Sequence, residues 1–155
     1  MGEEIINIIH LLATATWLGG AIFMKVVLEP SAKKIDPREA GKFLGIVAPR
    51  FSAVAWLSII LLVVTGILKT PSGMLLDTSS TAGIILTVKH VFVFGVILIG
   101  LAIVLVPVRA MKRYAPAPGT PPSEEFRRAQ QLLHYLSMSS TILGVLIVGL
   151  AAFLW

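Results

Sequence analysis

Cysteine is absent from all 155 residues. That absence excludes disulfides, thiolate metal sites, iron–sulfur clusters and c-type haem attachment, which needs Cys-x-x-Cys-His; it also leaves the redox compartment unread. Charge is scarce. Asp, Glu, Lys and Arg make up 14% of the chain, against about 25% in an ordinary soluble domain. With 56% hydrophobic residues, there is too little polar surface to cover a water-facing globule. A basic start, the mark of a cleavable signal peptide, is also missing: the first charges are Glu3 and Glu4, so the first apolar segment is expected to stay as an anchor.

What the chain has instead is four long apolar runs. A hydrocarbon core of about 30 Å needs roughly 20 apolar residues per helix. Four segments qualify, from about Ile5 to Leu28, Phe51 to Leu68, Gly83 to Val108 and Leu132 to Trp155. They are too long and continuous for barrel strands. The expected fold is all-α: a single four-transmembrane-helix domain, packed as an integral membrane four-helix bundle in a lipid bilayer.

The formal charge is +5, and the basic residues cluster. The first loop holds Lys33, Lys34, Arg38, Lys42 and Arg50; the third holds Arg109, Lys112, Arg113, Arg127 and Arg128. The second loop, Thr70 to Ala82, holds neither Lys nor Arg. These clusters set topology and meet anionic lipid; nucleic acid is not an expected partner. The positive-inside rule puts loops one and three in the cytoplasm and both termini outside, as in a prokaryotic cytoplasmic membrane.

Within the first loop, Asp36-Pro37-Arg38-Glu39 reads as an N-cap, a proline at the first helical position and a capping-box Glu. A short amphipathic helix is expected to follow and to end near Pro49, with Phe43, Leu44 and Val47 towards the membrane. Ala115-Pro-Ala-Pro-Gly-Thr-Pro-Pro122 is an extended spacer, after which Ser123-Glu124-Glu125 restarts a helix that runs into the fourth span.

Ionisable residues inside a membrane helix are costly and point to function. Here they are His10, Lys89, His90 and His134; Lys25, Arg50 and Lys69 lie near helix ends and can snorkel. Asn7, His10, Thr14 and Trp17 share one face of the first helix, followed by Gly19-Gly20, which admits a neighbouring helix or a flat ligand. His134, Ser137, Thr141 and Gly144 form a similar stripe on the fourth. The plain alternative is that these groups only hydrogen-bond within the helices' packing.

Depth separates the histidines. His10 and His90 each lie roughly 10 Å below the outer ends of their helices, whereas His134 lies in the inner leaflet. Two imidazoles at one depth suit the axial positions of a b-type haem, with His10 and His90 as iron ligands in the outer half of the bundle. Gly20 and Gly95 would give room, Trp17, Phe92 and Phe94 aromatic walls, and Lys69 a propionate partner. Lys89 points about 100° away from its neighbour His90, so both cannot be aimed at one iron. Either His90 ligates and Lys89 meets a haem propionate or another anionic group, or Lys89 lies at the ligand and His90 packs against another helix. Imidazole as the commoner ligand favours the first.

The opening His10-Leu-Leu-Ala-Thr-Ala-Thr-Trp17-Leu-Gly-Gly20, Pro49-Arg50-Phe51-Ser52 leading to Thr65-Gly66, and Leu86-Thr-Val-Lys89 before a long apolar run together resemble the CopD-like (copper resistance D) family. The His-then-Trp-Gly opening and the third-helix Lys also resemble the HemJ-like haem-binding protoporphyrinogen oxidases. The second resemblance implies importance for His10 and Lys89; the Gly-Gly after Trp17, the missing Arg beyond it and the presence of His90 depart from it.

Three functions follow as expectations. The leading one is a membrane b-type cytochrome exchanging electrons with a quinone or a redox partner subunit; oxidation of a porphyrin is a sub-case, so catalysis is left open. The second, which the CopD resemblance implies, is a copper uptake permease, for which Met24, Met111, His134 and Met138 form a soft set towards the cytoplasmic side. Met also fills irregular packing, which is the plainer reading of that set. The third is a ligand-free structural subunit. Self-association as a homo-oligomer is left open.

Overall fold

The computed structural model describes residues 1–70, 79–117 and 120–153. Most of the second loop, the middle of the proline-rich spacer and the last two positions of the expected fourth span lie outside the described residues. Among the described residues every regular element is helical. Four segments are long and apolar enough to cross a membrane: Gly2–Ala32, Pro37–Lys69, Thr81–Arg113 and Glu124–Ala152.

The chain forms two compact units, Met1–Asp77 and Thr78–Trp155. The first is an antiparallel pair of helices. Its α1 (Gly2–Ala32) is α-helical apart from two π turns, at Ala15–Gly19 and Met24–Leu28. Its α2 (Pro37–Lys69) starts as expected at Asp36, whose side chain accepts hydrogen bonds from the backbone N–H groups of Arg38 and Glu39. It does not stop at Pro49. The expected short amphipathic helix and the second span are one continuous element of 33 residues. At 1.5 Å per residue this is about 50 Å, longer than the ~30 Å hydrocarbon core a helix must cross. A proline in a helix interior forfeits one hydrogen bond. Membrane helices re-satisfy the freed group locally, and Ala48 and Arg50, on either side of Pro49, are strong helix formers.

Two π turns interrupt α1 on either side of Gly20–Phe23. The close approach of the two helices occurs there: a Cβ built on Gly20 would lie 2.5 Å from a ring carbon of Phe51. Ala13, Trp17, Ser58 and Thr65 are buried. Phe51, Ser58 and Thr65 recur every seven residues, two turns apart, and so present one side of α2.

The second unit pairs α3 (Thr81–Leu105) with α5 (Glu124–Ala152), and a short α4 (Pro107–Arg113) also packs on α5. The third span was expected to run unbroken to Val108, but it breaks at Val106, where φ is −109° and ψ is −80°. The residue before a proline is pushed out of regular helix, and Pro107 then opens α4, with its ring fully buried. Ser80 caps α3, accepting from the Gly83 N–H. Ser123 caps α5, accepting from the Phe126 N–H at 3.2 Å, so the helix restarts where the sequence indicates. Leu86, Val96, Ala129 and Gly144 are buried.

Large apolar side chains outside these interiors are exposed along the segments, among them Ile8, Leu11, Leu12, Ile60, Val64, Val91 and Phe94. Soluble proteins rarely display so continuous an apolar exterior. Lipid is the solvent that satisfies it.

Candidate functional site

The polar stripe of α1 faces α2 in the first unit. The Thr65 hydroxyl, in a side chain only 4% exposed, donates its proton to its own helix, to the Leu61 carbonyl at 2.6 Å. A hydroxyl has one proton. With the hydroxyl proton so placed, the 2.7 Å contact between Thr65 Oγ1 and His10 Nδ1 is one in which the imidazole N–H donates. In the neutral ring this leaves the lone pair on Nε2, the form in which an imidazole accepts a proton or binds a metal.

One turn towards the N-terminus, Lys69 Nζ donates to Asn7 Oδ1. Glu3, Ile6, Asn7, Leu68 and Lys69 line a cleft of about 250 Å³ at this end of the unit. Lys69, expected as a propionate partner, thus sits in an exposed polar cleft. At the other end of α1, Lys25 is paired with Glu29 at 2.6 Å, the lysine side chain being 11% exposed. Thr14 bonds back to the His10 carbonyl of its own helix at 2.8 Å, in line with the plain reading of that hydroxyl.

The space beside Gly20, expected to admit a neighbouring helix or a flat ligand, is taken by Phe51 of α2. Trp17 is buried within the first unit. In the second unit, a Cβ on Gly95 would lie 3.7 Å from Leu143, an ordinary packing distance.

His90 belongs to the second unit. Its Nδ1 lies 2.7 Å from the Leu86 carbonyl, which can only accept, so Nδ1 carries the proton and Nε2 again has the lone pair in the neutral ring. Lys89 is half-buried, as is Phe92, while Phe94 is exposed. The Thr87 hydroxyl is buried with no hydrogen-bond partner among the described residues.

The soft set is divided between the units. Met24 lies in the second π turn of α1; Met111 lies on α4, and His134 and Met138 on α5. The last two are four residues apart and share a face of α5, where both are exposed. Ser137 and Thr141 bond to carbonyls of their own helix, at His134 and Ser137. Among the described residues no group of three or more His, Asp or Glu side chains is gathered as a metal site.

Thr65, singled out in the sequence only as part of the Thr65-Gly66 pair of the CopD resemblance, is the His10 partner that its residue type did not announce, since a threonine in a membrane helix usually bonds only to the preceding turn. The available signal was the seven-residue spacing that puts it on the same side of α2 as Ser58 and Phe51.

These features define an integral membrane protein with little material outside its apolar helices and with histidines held at Nδ1. A family model described as "Copper resistance protein D" matches residues 45–154. The chain belongs to that copper resistance protein D (CopD) family. The matched stretch includes Thr65, Lys89 and His90 and begins after α1. The first of the two resemblances is thereby shown; the one to the HemJ-like oxidases is not. No curated protein and no solved structure matches the chain.

Proposed function

We propose that this protein handles copper ions at the prokaryotic cytoplasmic membrane, as cargo rather than as a resident cofactor, with His10 as a ligand through Nε2. The observation that carries the reading is the Thr65–His10 hydrogen bond, which turns the ligating nitrogen of a membrane-embedded imidazole away from Thr65 in a chain of the copper resistance D family. Imidazole and thioether both suit copper; Met24 on α1, and His90, Met111, His134 and Met138 in the second unit, are further donors of copper-binding type, each within its own unit. Loops one and three face the cytoplasm in this reading.

Copper(I) competition against a chromophoric chelator tests it on the purified chain in detergent. Tight binding by the wild-type chain that falls at least tenfold in His10→Ala supports the reading; equal affinity of the two overturns it.

A second reading keeps haem b, with His10 of the first unit and His90 of the second as candidate iron ligands and electron transfer as the activity. It is supported by the proton on Nδ1 in both rings. It is weakened by Phe51, which fills the slot beside Gly20 where a porphyrin face was expected. A Soret band in the purified protein, lost in His10→Ala and His90→Ala but kept in His134→Ala, would replace the copper reading with this one.

A further inference from the structure

We infer that Thr65 is a positioning residue that fixes the His10 imidazole in its Nδ1–H tautomer and so decides which nitrogen meets the metal. The inference rests on the copper reading for its functional meaning, but not for its geometry. Free imidazole exchanges its proton between two nitrogens, and a flexible side chain presents either one. Three features of this site remove that freedom.

The first is the direction of the hydrogen bonds. Thr65 Oγ1 lies 2.6 Å from the Leu61 carbonyl and 3.4 Å from that of Leu62. Both are acceptors, and with the hydroxyl proton on the nearer one the oxygen turns a lone pair to α1. Only a protonated Nδ1 can use it. Were the proton on Nε2, the hydroxyl would have to give up its 2.6 Å bond to the Leu61 carbonyl in order to donate to Nδ1.

The second is burial. At 4% exposure the threonine side chain has almost no access to water, and lipid supplies no competing donor. An acceptor that loses its donor in such a place is left unsatisfied, at a cost of about 1–3 kcal/mol. That penalty opposes rotation of the ring away from Thr65 as well as transfer of the proton.

The third is the backbone beside the ring. His10 Cε1 lies 4.0 Å from where a Cβ of Gly66 would stand. The imidazole thus lies beside α2 at Gly66, where even a Cβ would meet it only at ordinary van der Waals distance, so the ring's place agrees with the hydrogen bond. The arrangement is that of a metal-binding histidine held by an outer partner through its other nitrogen, in which the partner sets tautomer and ring direction. Here the partner is a hydroxyl already polarised by a backbone carbonyl.

Two substitutions separate this role from simple packing. Thr65→Val keeps the shape and removes the acceptor; Thr65→Ser keeps the acceptor and loses a methyl group. The tautomer is read without any metal, from the ¹⁵N shifts and one-bond N–H couplings of ¹⁵N-histidine-labelled protein in micelles, with the His10 signals assigned by their loss in His10→Ala. The inference expects a neutral His10 protonated at Nδ1 in the wild type and in Thr65→Ser, and a mixture of tautomers in Thr65→Val. Copper(I) affinity is then expected to fall about 10–100-fold in Thr65→Val, the usual loss for an outer partner of a metal ligand, and to recover in Thr65→Ser. A tautomer unchanged by Thr65→Val overturns the inference whatever the copper result. A tautomer that responds as expected, beside copper binding indifferent to His10→Ala, overturns the copper reading and leaves the positioning role standing.

Discussion

Substituting Gly20 by alanine tests the close approach that organises the first unit. The added Cβ would lie 2.5 Å from Phe51 Cε2 and 3.4 Å from Cδ2 and Cζ. Carbon atoms are at rest about 3.5–4.0 Å apart, so the ring must retreat by about 1 Å. A phenyl ring has only two rotatable bonds and cannot fold aside as a lysine stem could. Overpacking of this kind costs about 1–3 kcal/mol. Alanine in place of glycine in a helix interior returns roughly 0.5–1 kcal/mol of backbone entropy. The net expectation is a destabilisation of about 0.5–2 kcal/mol. The adjacent Gly19 is the internal control, because a Cβ there meets nothing within 4 Å; Gly19→Ala should be neutral or slightly stabilising. Unfolding in mixed SDS–detergent micelles, followed by far-UV circular dichroism, gives both values. Phe51→Leu in the Gly20→Ala background should recover part of the loss, with a coupling of about 1 kcal/mol in the double-mutant cycle. Equal stability of Gly19→Ala and Gly20→Ala, or a coupling of zero, would show that Phe51 does not occupy the notch.

Two further outcomes follow. Glu29→Gln leaves the Lys25 ammonium without its 2.6 Å carboxylate partner and should destabilise the protein in the same assay, whereas Lys25→Met combined with Glu29→Leu should recover most of the loss, as replacing both members of a low-dielectric pair often does; a double variant no better than the single one would refute the pairing. Because the chain has no native cysteine, topology is read directly from single cysteines: Ser79→Cys should react with a membrane-impermeant maleimide applied outside intact cells and Ser123→Cys should not, and the reverse pattern would invert the orientation.

Much of this architecture was legible because lipid leaves few choices. The apolar runs gave the helices, and Asp36 and Ser123, small polar residues ahead of acidic first turns, gave two of their starts. Pro49 was misleading. In water it would end a helix, but α2 runs through it. Pro107 had the opposite effect, breaking α3 from α4 at Val106 inside a run that looked uniform. The π turns at Ala15–Gly19 and Met24–Leu28 have no residue signature; they were not legible at all. At the candidate site, the stripe from Asn7 to Trp17 correctly indicated the side of α1 that meets another helix. Its partners could not be assigned, because Thr65 as a hydrogen-bond acceptor and Phe51 as the filler of the Gly20 notch follow only from the antiparallel register of α1 on α2. Glu29 was counted outside the first span, so its pairing with Lys25 went unseen.

Copper(I) binding by the purified chain, measured by competition in detergent for the wild type and His10→Ala side by side, tests the central claim most directly. The account predicts a colourless protein that withdraws copper(I) from the chelator and loses at least tenfold in affinity when His10 is replaced. A wild-type chain that takes no copper(I), or one whose affinity is the same without His10, would contradict it.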